Sequence, residues 1–305
     1  MREFHSFTMK RLLVAMDFSN GSYGALHYAR ELARSFSAKV LLVHVIDDGS
    51  TASGGEGRKG SLSDRLELAE VELQRMAASF YYDNLDCTII ARAGAVPETI
   101  RDIVEERDVD LLVVGTEGRS GKDGETLGSI AESLLRISPC PVLTVGVNTR
   151  SNAYKSIYRH RVLFPTDFSD VSLTALPYAE CLAKHLAGDL LIVHVDDNEN
   201  EALRNIQASF NALALQLKHP EVKKEFIPRT GQPADSVVDF AVQSHVDFIV
   251  MATHRPEARG LVRNYGFAFD VICRAKCPVF TLLTPPEAKL EEESEGNKLH
   301  IRFGT

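Results

Sequence analysis

Val14-Ala15-Met16-Asp17-Phe18-Ser19 returns 150 residues later as Phe164-Pro165-Thr166-Asp167-Phe168-Ser169, and the correspondence runs on beyond it. Ser22, Ala25, Leu26, Tyr28, Ala29, Leu32 and Ala33 recur at the same offset as Ser172, Ala175, Leu176, Tyr178, Ala179, Leu182 and Ala183. Val43-His44-Val45 recurs as Val193-His194-Val195. Farther on the offset falls to 137: Gly94 matches Gly231, and Cys140-Pro141-Val142 matches Cys277-Pro278-Val279. The first copy therefore carries 13 extra residues after Val45. A repeated unit of this length is a whole domain rather than one turn of a solenoid. The 305 residues accordingly read as two domains, 9–148 and 159–285, followed by an acidic tail over 286–305 expected to be disordered.

With 44% hydrophobic residues the chain can bury two ordinary cores. A formal charge of -8 disfavours nucleic acid or an anionic membrane surface as partner, because nothing offsets phosphate repulsion. No apolar run approaches the length of a membrane span. The five cysteines are an odd number with no C-x-x-C, and no signal peptide is read, so reduced thiols in a cytoplasm are expected. Cys273 and Cys277 stand one helical turn apart, but Pro278 interrupts such a helix and nothing nearby completes a tetrahedral metal set.

Short runs rich in Val, Ile and Leu alternate with amphipathic stretches in both copies. The first copy predicts strands at 11–16, 40–45, 88–91, 111–115 and 142–146, with helices at 23–36, 62–80, 96–106 and 129–136. The second predicts strands near 161–165, 190–195, 224–227, 248–252 and 279–283, with helices near 173–186, 201–217, 234–244 and 267–274. Strict alternation implies parallel strands joined by right-handed crossovers, hence an α/β fold of two tandem doubly wound five-stranded sheets. The glycine- and serine-rich stretch 49–60 reads as a mobile loop, and 147–158 as the connection between domains. A lone five-stranded sheet would leave the apolar edge of its last strand unpaired, so 142–146 and 279–283 are expected side by side and antiparallel, making the two copies a pseudo-dimer.

In open parallel sheets ligands bind beyond the carboxyl ends of the strands, where strand order reverses. After the strand ending at Gly115 comes Thr116-Glu117-Gly118-Arg119-Ser120-Gly121-Lys122-Asp123-Gly124-Glu125-Thr126-Leu127-Gly128-Ser129. Its glycines permit positive φ and close backbone approach, and the helix opening at Ser129 presents a dipole that favours phosphate. Asp17, at the end of the first strand, can accept hydrogen bonds from a nucleoside.

The spacing G-x2-G-x9-G-S, met by Gly115, Gly118, Gly128 and Ser129, resembles the nucleotide motif of the ATP-binding universal stress proteins. The Asp-Phe-Ser, the His-Val, the glycine before the third helix and the Cys-Pro-Val also resemble that family, in tandem form and over almost the whole of both copies. The resemblance implies an adenine nucleotide alpha hydrolase-like fold. It further implies adenosine held by Asp17 and the backbones of Ala15 and Val45, with Gly115, Gly118, Gly128, Ser129 and Ile130 lining ribose and phosphates. ATP is the implied ligand, with AMP or ADP as alternative occupants of the purified protein and magnesium compatible with the polyphosphate.

The second copy departs from the motif: Gly115 becomes Ala252, Gly118 becomes Arg255, and Gly128-Ser129 becomes Tyr265-Gly266, while Pro256 removes an N–H. ATP binding is therefore expected in the first copy alone. Arg255, Arg259 and Arg263 either capture another anion or form a solvated face, the commoner role of charged side chains. A flexible connection would also explain Gly121 and Gly124, but the fixed spacing and the helix start favour nucleotide. The loop is not a Walker motif, since Asp123 stands where Ser or Thr would bind magnesium, nor a dinucleotide fingerprint. A phosphoreceiver domain would need a strand-three phosphoacceptor and a terminal Lys-Pro, and both are missing. His44 and His194, at strand ends, read as packed histidines rather than catalysts, for no nucleophile or carboxylate partner accompanies them. Ser22, Ser172, Tyr28 and Tyr178 read as helix-surface and packing residues. Arg119 and Lys122 either reach outer phosphates or keep the loop soluble.

The expected function is a cytoplasmic ATP-binding stress-response regulator, not an enzyme, whose nucleotide alters a surface seen by a protein partner not identifiable from sequence. The alternatives are weak ATP hydrolysis or phosphotransfer at the same site, and a second copy that holds an unrelated small molecule. A further homodimer of the tandem chain is compatible with the reading.

Overall fold

The computed structural model describes residues 7–47, 61–116, 127–146, 149, 159–196, 202–254 and 266–284. The loop 49–60, Gly118 with the rest of 117–126, the linker 147–158 apart from residue 149, the arginine-bearing segment 255–265 and the tail 286–305 lie outside the described residues. The first half runs β1 (Arg11–Ala15), α1 (Asn20–Phe36), β2 (Lys39–Ile46), α2 (Leu62–Tyr81), β3 (Cys87–Ala93), α3 (Val96–Glu106), β4 (Leu111–Gly115), α4 (Ser129–Ile137) and β5 (Val142–Val145). The second runs β6 (Arg161–Pro165), α5 (Asp170–Leu173), α6 (Leu176–His185), β7 (Asp189–Asp196), α7 (Ala202–Ala214), β8 (Lys224–Thr230), α8 (Pro233–Gln243), β9 (Phe248–His254), α9 (Gly266–Arg274) and β10 (Val279–Thr284).

Local chemistry sets the helix ends. The Ser19 hydroxyl accepts from the Ser22 N–H and caps α1, which stops where Ser37 turns left-handed at φ 53°. Ser61 and Asp64 form a reciprocal capping box at α2. One expectation fails here: the continuous helix over 173–186 is split into α5 and α6. Pro177 has no N–H to give the Leu173 carbonyl, and its ring crowds that same oxygen, so the first turn ends at Leu173. His27 holds the equivalent place in α1, which runs unbroken.

The ten strands form a single sheet in the order β3-β2-β1-β4-β5-β10-β9-β6-β7-β8. Every neighbouring pair is parallel except β5 with β10, which are antiparallel in the register Thr144 opposite Val279, Leu143 opposite Phe280 and Val142 opposite Thr281. The expected pairing of the final strands is therefore present, and each covers the other's apolar edge. The buried Thr144 hydroxyl adds a bond to the Val279 carbonyl at 3.2 Å. Two cores sandwich the sheet, and both run through the two halves. One packs α1, α2, α6 and α7 on residues such as Leu12, Phe80, Phe164 and Phe280. The other packs α3, α4, α8 and α9 on Leu13, Leu112, Leu163 and Val279. Contacts across the pseudo-two-fold reinforce this continuity: Phe36 stacks on His185 at 4.0 Å, Tyr28 meets Phe248 edge-on at 5.8 Å, and Phe7 lies 4.4 Å from Tyr178.

Candidate functional site

In the first half the strand order reverses between β1 and β4, and a cavity of about 300 Å³ opens there. Ala15, Asp17, Val45, Gly115, Gly128, Ser129 and Ile130 all line it. Seven residues drawn from four elements thus converge on one space, and Gly118 falls outside the described residues.

Asp17 is aimed by a strained turn. Phe18 follows it at φ 62°, a left-handed conformation that costs a bulky residue roughly 1–2 kcal/mol. Four contacts hold the turn. The Phe18 ring lies 4.5 Å from the His44 ring. His44 Nδ1 is 2.6 Å from the Met16 carbonyl, and since a carbonyl only accepts, Nδ1 carries the proton. Asp17 Oδ1 accepts from the Ser19 amide at 3.0 Å and the Ser19 hydroxyl at 2.6 Å. Burial opposes ionisation of Asp17, but these bonds, with the Ser22 hydroxyl alongside, outweigh it and hold the carboxyl below its ordinary range. The turn is duplicated in the second half, where Phe168 also has φ 62°, stands 4.7 Å from the His194 ring, and His194 Nδ1 donates to Thr166 at 2.8 Å. Both histidines are therefore packed residues that fix a turn.

The glycines work differently from the sequence expectation. Gly115 is not left-handed; a Cβ there would stand 2.6 Å from the Gly21 carbonyl carbon and 2.9 Å from the Ser22 nitrogen. Its bareness lets the N-terminus of α1 press on the end of β4. Gly128 has φ -64° and ψ 145°, open to any residue, and its N–H already donates to the Thr116 carbonyl at 2.7 Å. That bond draws together the two ends of the segment between β4 and α4. The donors left for an anion are the first amides of α4, from Ser129 onward, which have no intrahelical acceptor and no side-chain cap. Positive φ is needed instead at Gly94 and Gly231, before α3 and α8.

Sequence reasoning took Ser22 for a helix-surface or packing residue and gave Thr116 no role of its own. Both are buried and line the cavity, Ser22 also donating its hydroxyl to the Ser19 carbonyl at 3.0 Å. Each recurs in the second copy, as Ser172 and Thr253, and that recurrence was the available signal. Val96 and Ile100 of α3 complete an apolar wall. Burial pushes the thiol of Cys87 up to about 12 and those of Cys140 and Cys181 up to about 11, which disfavours the reactive thiolate at these three positions. Among the described residues no cluster of three or more His, Cys, Asp or Glu could hold a metal, and no helix is long and apolar enough to cross a membrane.

The family model described as "Universal stress protein family" matches residues 8–146 and again 159–282. Universal stress protein A homolog 1 of Coxiella burnetii is 30% identical over 141 residues, 45% of this chain and 95% of the relative. A universal stress protein of Methanocaldococcus jannaschii is 26% identical over 145 residues, 45% of this chain and 81% of its own length. Among solved structures, a universal stress protein from Archaeoglobus fulgidus aligns with a TM-score of 0.73 at 20% identity, over 90% of this chain and 98% of that one.

Proposed function

The chain belongs to the universal stress protein family, in tandem form, and on that premise we propose that its first repeat binds ATP and acts as a nucleotide-dependent regulator in the cytoplasm. The observation that carries this reading is the convergence of Ala15, Asp17, Val45, Gly115, Gly128, Ser129 and Ile130 on one cavity beside the uncapped N-terminus of α4. A space of about 300 Å³ with apolar walls and a few aimed polar groups has the character of a small-ligand site.

The residues fit the ligand by chemistry. The ionised Asp17 carboxylate accepts from the nucleoside, flanked by the ends of β1 and β2 at Ala15 and Val45. The hydroxyl of Ser129 and the first amides of α4, including that of Ile130, face the phosphates, where the helix dipole favours negative charge. Gly115 shapes this end by seating α1, and Gly128 by tying the loop at Thr116. Gly118 belongs to the site on motif spacing alone. Magnesium, where present, enters with the polyphosphate.

Binding rather than turnover is the better reading. Asp17 is the one ionisable side chain among the described residues that line the cavity, and Ser19 already engages it. Phosphoryl transfer needs a group that orients the nucleophile, and this lining offers none placed for it. A bound nucleotide can still signal, provided it favours one state of the protein over another.

The test is the adenine nucleotide content of freshly purified chain, followed by calorimetry with ATP. At most one equivalent per chain is expected, and Asp17→Ala weakens ATP and adenosine alike by tenfold or more. Two equivalents would overturn the restriction to the first repeat. Steady release of phosphate at wild-type affinity would convert the reading to an ATPase.

A further inference from the structure

Helix α2 is apolar on two opposite sides. Ala69, Leu73, Met76 and Phe80 are buried against the sheet and, at 3.6 residues per turn, form one narrow stripe. Leu68, Val71, Arg75, Ala78 and Tyr82 are all exposed, and the same geometry puts them on a second stripe facing away from the first. Tyr82 keeps right-handed helical geometry just past the end of α2, so it continues that line. The alternating steps of three and four residues are those of a coiled-coil seam. Leu68 is 68% exposed, Val71 60% and Tyr82 87%. Single apolar residues on a surface are ordinary. A β-branched valine, however, gains nothing on an open helix face, and here it stands in line between a leucine and a tyrosine. The matching helix of the second repeat differs: the exposed positions among the described side chains of α7 are Gln207, Ala208, Asn211, Ala212 and Ala214, with Leu215 just beyond its end.

The seam is complementary to itself. In an antiparallel pair of α2 helices centred at the level of Leu73, a single register sets Leu68 against Ala78 of the second copy, Val71 against Arg75 and Tyr82 against Asp64. The large leucine meets a small alanine, and the Arg75 stem lies along Val71. Two Arg75 guanidiniums and two Glu72 carboxylates then meet at the centre. Within one chain Arg75 already reaches Glu72 at 3.0 Å, so each guanidinium can serve both copies. The Tyr82 hydroxyl can donate to Asp64, whose carboxylate has lone pairs beyond the one engaged by the Ser61 amide. A parallel pair would instead set Arg75 against Arg75. Because the seam lies on one helix and pairs with its own copy, association closes at two chains.

We propose that the outer face of α2 is the interface of a homodimer, in which two chains join through antiparallel α2 helices. A seam this short belongs with the small specific interfaces, so the dimer is reversible, with a Kd on the order of micromolar. The proposal is independent of the nucleotide reading of the first repeat.

Sedimentation equilibrium of the full chain, from low to high micromolar concentration, tests this. The expected mass rises from that of one 33.7 kDa chain to that of two, and no further. Leu68→Glu combined with Val71→Glu weakens the dimer at least tenfold. Arg75→Glu, which leaves only acidic groups at the centre, does the same, and adding Glu72→Arg to it exchanges the charges and restores the dimer. These positions are exposed or at the helix surface, so melting of the variants stays that of the parent chain; if the double glutamate variant melts early, the charge exchange alone decides. A mass of one chain at every concentration overturns the proposal, whether the seam then serves a different protein or the chain's own tail. A dimer indifferent to these variants overturns it by placing the interface elsewhere. Failure of Glu72→Arg to rescue Arg75→Glu overturns the antiparallel register, and growth beyond two chains overturns closure.

Discussion

Gly115 and Gly21 touch so closely that no side chain fits between them: a Cβ on Gly115 would sit 2.6 Å from the Gly21 carbonyl carbon and 2.8 Å from its oxygen. The second copy has Ala252 and Val171 at these positions, and there the helix begins with the separate four-residue turn α5. The missing side chain of Gly115 is what allows α1 to start hard against β4.

Gly115→Ala is therefore expected to cost stability, on the order of 1–3 kcal/mol, by forcing α1 outward. The reverse change in the second copy, Ala252→Gly, should cost no more than about 1 kcal/mol. Thermal melts of the two variants check this asymmetry; equal losses would show that the contact does not limit packing.

His44 lies behind the cavity rather than in it, yet it holds Phe18 and Met16. His44→Ala should free the Phe18 turn, let Asp17 swing, and weaken ATP by roughly tenfold, an energy of about 1.4 kcal/mol. Fold content by circular dichroism should be unchanged. Wild-type affinity in this variant would mean that Ser19 alone fixes the carboxylate.

Asp17 and Asp167 both have folded carboxyls below the ordinary value, held by hydrogen bonds that outweigh burial. The unfolded chain then takes up protons first as pH falls, so their stabilisation is complete above the ordinary carboxylate pKa and is lost as pH drops through the folded values. Unfolding free energy should decline from about pH 5 downward, with a shallower decline in the double variant Asp17→Asn, Asp167→Asn. An identical slope would assign acid sensitivity to other groups.

Both cores cross from one half to the other, and β5 pairs with β10 at their meeting. Calorimetric unfolding should accordingly be a single transition with matching van't Hoff and calorimetric enthalpies. Phe280→Ala, at a fully buried ring 6.2 Å from Phe7 and 5.9 Å from Tyr178, should cost about 3–5 kcal/mol and lower that one transition as a whole. Two resolved transitions would mean the halves fold as independent units.

The repeat, the alternation of strand and helix, the doubly wound class and the pairing of the last strands were all legible in the residues. They depend on short-range periodicity and on the rule that an apolar edge must be covered, and both leave their mark in linear order. The candidate residues came from the resemblance of the glycine spacing to the universal stress protein motif, and those among the described residues meet in one cavity because a parallel sheet brings the ends of its strands to one side. Tertiary structure alone decided what individual residues do there. That Gly115 serves contact with Gly21, that the Gly128 amide is already spent on Thr116, that Ser22 is buried behind Asp17, and that Pro177 splits a helix His27 leaves whole are facts of spacing between segments far apart in the chain or of a local backbone conflict. Periodicity carries neither, since it records which face a residue turns inward but not which atom it meets.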